Sequence, residues 1–236
     1  MEPADILSSF EPIEHDSTLY SIFTAMVFCL RPEQACSFLD VSFSQEYKKR
    51  LAIMKKISHD IQCEYTDCHK ELLYRLMESM ESLPSNKRQS CGYCITYLIR
   101  YIPCGDKEKA LLFLLSSKWK PIRSKGYKYL LRNWDDSWAS QVEENWNKNA
   151  DFDAARLIIE YFPESYLVEK FDTIRPILEN SYFIRRFYLR VVSSDSSRLS
   201  QIRRRDSITY AYLLVKLNIK LNNNCIWHNR NAENGN

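Results

Sequence analysis

Apolar residues recur at helical spacing along almost the whole chain of 236 residues, with breaks about every 12 to 18 residues. Runs such as Leu19-Ile22-Phe23-Met26-Val27-Leu30, Leu72-Leu73-Leu76-Met77-Met80 and Ile95-Leu98-Ile99-Ile102 place one apolar stripe on a helix. The interruptions fall at Arg31-Pro32, Leu83-Pro84-Ser85-Asn86, Pro103-Cys104-Gly105-Asp106 and Phe162-Pro163-Glu164-Ser165. Proline lacks the donor and the conformational freedom to continue a helix there. Alternating β-branched runs are scarce, and no Asn-Gly or Asp-Gly pair separates two apolar segments. The expected fold class is all-α.

The central part repeats. Leu115, Trp146 and Ile177 are spaced 31 residues apart, late in helices expected over about 106–117, 137–148 and 166–179. The alternate helices, over about 121–134, 152–162 and 182–193, place Ile99, Leu130, Tyr161 and Val192 at the same interval. Two helices per unit of this length predict a right-handed α-solenoid, in which each hairpin buries its apolar faces against its neighbours. The expected organisation is an acidic segment over 1–18, one helical domain over 19–218 and an Asn-rich tail over 219–236. Within the domain, 19–103 reads as an irregular capping part, 104–194 as three repeats and 195–218 as a C-terminal cap.

The stretches LLSSKWKPIRSKGYKYLLRNW (114–134) and ILENSYFIRRFYLRVV (177–192) resemble the HEAT-repeat superfamily. The resemblance rests on an apolar-Arg pair opening the second helix, here Ile122-Arg123 and Ile184-Arg185. It covers about 100–195. The middle unit carries Asp153-Ala154 in the equivalent place, and the turn aspartate of the family is replaced near Ser117 and Asn180. The resemblance implies a fold of HEAT-like hairpins and no activity.

Only four glycines occur, at 92, 105, 126 and 235, so no glycine cluster exists to bring backbone amides against a phosphate. That excludes a Rossmann or P-loop nucleotide site, and no cofactor is expected. The most apolar early stretch, Leu19 to Leu30, is shorter than the roughly 20 residues that span a bilayer. The opening residues are acidic and lack the pattern of a secretory signal. A cytoplasmic protein with no membrane contact and mostly reduced cysteines is the expectation.

Cys91 and Cys94 have redox or zinc spacing, with Cys63, Cys68 and His69 earlier in the chain. No second pair of that spacing completes a zinc site, and no βαβ pattern surrounds this one. Cys225 and His228 fall in the tail. Buried thiols are therefore expected, with no metal and no redox chemistry. None of His15, His59, His69 and His228 lies in a recognisable nucleophile signature. Trp134-Asp135-Asp136-Ser137-Trp138 is similar to the Trp-Asp-x-x-Asp element of HEAT-like alkylpurine DNA glycosylases, but Trp138 replaces the second aspartate. Asp135 and Asp136 equally suit the N-terminal turn of the next helix.

Charge is unevenly distributed. Residues 1–85 hold 8 Lys and Arg against 14 Asp and Glu, whereas residues 86–236 hold 25 against 16. Lys125, Lys128 and Arg132 form a stripe on the expected 121–134 helix, and Arg186 and Arg190 a similar pair on 182–193. Arg203 and Arg204 extend the charge, while Trp134 and Trp138 and the spaced Tyr93, Tyr97 and Tyr101 interleave aromatic rings. Aromatic and arginine side chains dominate protein interfaces and also stack on bases. The reading is a non-catalytic scaffold, an adaptor or an inhibitor of the immunity type. It docks an acidic protein partner through Lys125, Lys128, Arg132, Arg186, Arg190, Arg203, Arg204, Trp134 and Trp138. Nucleic-acid binding is the alternative, with base excision below it.

Overall fold

The structure, a computed structural model, describes residues 16–217 except Ser44. All regular secondary structure among the described residues is helical. The chain divides into two compact units, Met1–Arg132 and Asn133–Asn236, where the sequence reading has one domain over 19–218.

The first unit contains α1 (Ser17–Phe28), α2 (Pro32–Ser42), α3 (Tyr47–Cys63), α4 (Asp67–Ser79), α5 (Ser85–Leu98), α6 (Cys104–Ser116) and α7 (Lys120–Leu130). Local chemistry sets the starts. The Asp16 carboxylate accepts from the Thr18 and Leu19 amides at 2.8 and 3.1 Å, satisfying donors that the first turn leaves over. Pro32 and Pro121 occupy first-turn positions where a missing N–H does no harm. The packing order is regular: α1 packs on α3, α2 on α4, α3 on α5, α4 on α6 and α5 on α7. Four of the consecutive pairs also pack, α2 with α3 and α6 with α7 most extensively, then α4 with α5 and α5 with α6. Odd-numbered and even-numbered helices thus form two rows that share an apolar seam including Leu39, Ile53, Leu76, Ile95, Leu115 and Leu130, all fully buried.

Arginines close the turns. Arg50 donates to the Phe43 carbonyl at 2.8 Å, and Arg88 to the Met80 and Leu83 carbonyls at 3.1 and 2.6 Å. Arg123, 6% exposed, donates to the Ser117 carbonyl at 2.9 Å. Each neutralises the carbonyl-rich end of a preceding helix or its turn.

The second unit opens with a 3-10 turn, Asp136–Trp138, followed by α8 (Ala139–Asn149), α9 (Phe152–Tyr161), α10 (Glu164–Glu169) and α11 (Phe171–Ile174). A further 3-10 turn at Arg175–Ile177 precedes α12 (Ser181–Ser194), α13 (Leu199–Arg205) and α14 (207–217). α8 packs on α9, and α12 packs on both α9 and α10.

Several expected boundaries differ. The helix expected over 121–134 stops at Leu130, so Arg132 lies beyond its end. The one expected over 166–179 is broken at Lys170, which has left helical geometry, and its remainder tightens around Pro176. The repeat register also slips by one residue: Tyr161 is exposed and Phe162 buried, while Leu178 rather than Ile177 enters the core. Trp146, Leu115 and Val192 are buried as the periodicity requires. The tail over 219–236, with Cys225 and His228, lies outside the described residues, as do His15 and most of the 1–18 segment.

Candidate interaction surface

In the first unit the odd row of helices gathers tyrosines. Tyr47 opens α3 half exposed, and its hydroxyl lies 3.0 Å from that of Tyr93 on α5. The i, i+4 spacing continues the row: Tyr93 and Tyr97 ring centres are 6.4 Å apart, and Tyr97 and Tyr101 6.0 Å. Burial, the Tyr47 hydroxyl and the neighbouring phenols push the Tyr93 phenol up to about 12, and Tyr97 and Tyr129 are also raised by burial first. These phenols remain protonated hydrogen-bonding groups over the physiological range.

Cations border the rings. Arg100 lies over Tyr97 at 5.9 Å, and its charge acts on Tyr93 and Tyr129 as well. Lys125 on α7 places its ammonium 5.7 Å from the Tyr93 ring centre, within cation–π range. Burial, and then the charge of Lys128 one turn on, depress the Lys125 ammonium. Lys128 is exposed on the same helix. The start of α3, α5 and the turn after it therefore present a row of phenolic rings edged by the positive charge of Arg100 and of Lys125 on α7.

The other site residues expected from the sequence lie elsewhere. Arg132 is exposed beyond α7. In the second unit Trp134 stacks flat on Tyr161, ring centres 4.6 Å apart, and its indole N–H donates to Asp136 at 2.8 Å. Trp138 ends the 3-10 turn, half-buried. Arg186 pairs with Glu160, and Arg190 with Glu164 at 2.9 Å. Arg203 and Arg204 are exposed at the end of α13, Arg203 lying 5.8 Å from the Tyr210 ring centre.

The chain matches no family model, no curated protein and no solved structure.

Asp135 accepts from the Ser137 amide at 2.9 Å, and the Ser137 side chain first, then this amide, hold its carboxyl below the usual range. Both aspartates of the glycosylase-like element therefore serve the local turn. Cys91 and Cys94 are buried within α5, each thiol pushed up to about 12 by burial, and Cys91 donates to the Leu76 carbonyl. Among the described residues no group of three or more His, Cys, Asp or Glu side chains is placed to hold a metal ion. No helix among them is long and apolar enough to cross a membrane.

The spacing of Tyr93, Tyr97 and Tyr101 announces this face in the sequence. Tyr47, Tyr129 and Arg100 had no local signal, because they join it only through packing between helices distant in the chain.

Proposed function

We propose that the protein is a non-catalytic docking scaffold, an α-solenoid of HEAT-like hairpins that binds an acidic segment of a partner protein on the tyrosine face of α3, α5 and α7. The observation that carries this reading is the continuous row from Tyr47 to Tyr101 bordered by Arg100 and Lys125. Tyrosine offers a large, stiff contact area with a hydroxyl at its tip, so it binds at low entropic loss. The cations at its border select carboxylates and steer approach. The alternation of packing between two rows supports the solenoid, and the arginines that close its turns fit the apolar-Arg pairing of HEAT units. An adaptor or a cytoplasmic inhibitor would both use such a face.

Protein is favoured over nucleic acid because much of the late basic charge is matched internally. Arg186, Arg190, Arg198 and Arg205 each pair with a carboxylate. A phosphate track needs cations free to release counterions.

Affinity capture with the full chain, with and without nuclease, tests the reading. A partner that survives nuclease and is lost from the Tyr93→Ala/Tyr97→Ala chain supports it. Retention by that variant, or loss on nuclease treatment together with dependence on Arg203 and Arg204, overturns it in favour of the nucleic-acid alternative.

A further inference from the structure

Cys36 on α2 and Cys68 on α4 come from opposite sides of the long α3 in sequence, yet both line one open cavity of about 380 Å³. Cys36 is buried, and its thiol lies near enough to that of Cys68, which is partly exposed, for each to act on the other. The rest of the wall includes Glu33, Asp67, Glu71 and Arg75. The helices that carry the two thiols pack directly on one another. Neither thiol is needed for the docking face.

We propose that Cys36 and Cys68 are a modification site, closing to a disulfide under hydrogen peroxide and stapling α2 to α4. Cys68, reachable from the cavity, is the attacking group, and the adjacent Cys36 S–H supports its thiolate. The thiolate displaces hydroxide from the peroxide and becomes a sulfenic acid. The Cys36 sulfur then attacks the Cys68 sulfur and expels a second hydroxide. Each hydroxide takes up one of the two thiol protons. Two thiols and one peroxide thus give one disulfide and two waters.

The surroundings make this pair a slow responder. Burial raises both thiols, and Glu33 and Glu71 raise Cys68 further, while Asp60 on α3 and Glu33 act on Cys36. Arg75, also on the cavity wall, pairs with Asp40. Oxidation therefore accelerates with pH as the Cys68 thiolate becomes populated.

The test treats the full chain with hydrogen peroxide, blocks free thiols and maps peptides without reduction. The expected product is a Cys36–Cys68 cross-linked peptide, formed faster at about pH 9 than at about pH 7, with Cys91 and Cys94 still reduced. Oxidised chain should melt at a higher temperature than reduced chain, and a thiol reductant should reverse the shift. In Cys36→Ser, dimedone should trap a sulfenic acid at Cys68 that the native chain passes on to the disulfide. Equal trapping in the native chain without a cross-link, or a bridge from Cys68 to Cys63 instead, overturns the proposal.

Discussion

Arg190 on α12 donates to the Phe162 carbonyl at 2.7 Å, at the turn where α9 gives way to α10. The same guanidinium reaches the Ile159 carbonyl at 2.5 Å and the Glu164 carboxylate at 2.9 Å. A residue expected to meet a partner is thereby the clamp of its own unit. Arg190→Ala leaves two carbonyls and a carboxylate without their donor and should destabilise the second unit by about 2–3 kcal/mol. Arg190→Lys should recover only part of this, since an ammonium lacks the planar fork. Arg186→Ala removes only a more exposed pair with Glu160 and should change stability by about 0.5 kcal/mol. Denaturant titration of the three variants distinguishes the two arginines.

Glycines 126 and 105 predict opposite outcomes for the same substitution. A Cβ at Gly126 would lie 2.9 Å from Leu115 Cδ2, 3.1 Å from its Cγ and 3.4 Å from Leu114 Cβ, so the buried Leu115 side chain must give way to admit it. Gly126→Ala should destabilise the first unit by about 1–3 kcal/mol. Gly105, exposed in the first turn of α6, has nothing within 4 Å of its added Cβ. There alanine should stabilise by about 0.5–1 kcal/mol, because it restricts the unfolded chain and favours helix. Melting temperatures should move in opposite directions.

Ala150 ends α8 with φ 48° and ψ 40°, the left-handed conformation that a Cβ disfavours. Ala150→Gly should raise stability by about 0.5–1 kcal/mol, since glycine adopts this helix terminus without strain. A fall in melting temperature would contradict it.

Lys56 and Asp60 form a buried ion pair one turn apart on α3, at 2.5 Å. Asp60→Ala strands the Lys56 ammonium away from water and should cost about 3–5 kcal/mol. Replacing both, as Lys56→Met with Asp60→Leu, removes the two desolvated charges together and should recover most of that loss. A double-mutant cycle in denaturant, with Lys56→Met and Asp60→Leu singly and together, checks the coupling.

His69 on α4 is buried, and its Nδ1 accepts from the Thr66 amide at 3.2 Å. Burial lowers its pKa below the ordinary 6.5, outweighing the attraction of Asp60 and Glu33, while Lys56 adds to the depression. Because the unfolded chain binds the proton more readily, stability is full above about pH 6.5 and falls as pH drops through the depressed folded value. His69→Gln keeps an acceptor for the Thr66 amide without titrating, so its stability should fall less over that interval. Parallel slopes for the two chains would remove His69 as the source.

Helix identity and the helix breaks were legible in residues such as Pro32, Pro84, Pro103 and Pro163, because a missing donor and a locked φ act locally whatever surrounds them. So was the apolar stripe, including Leu115 and Trp146, since burial of one face is what makes a short helix persist in water. Tertiary structure alone decided which of the expected partner-binding cations are occupied: Arg190 reaches the Ile159 and Phe162 carbonyls, and nothing in its spacing distinguishes it from exposed Lys128. It also shifted burial from Tyr161 to Phe162, joined Tyr47 to Tyr93, and set Cys36 beside Cys68. Periodicity determines which face of a helix turns inward, but the partner met there depends on distances through space that sequence separation does not encode.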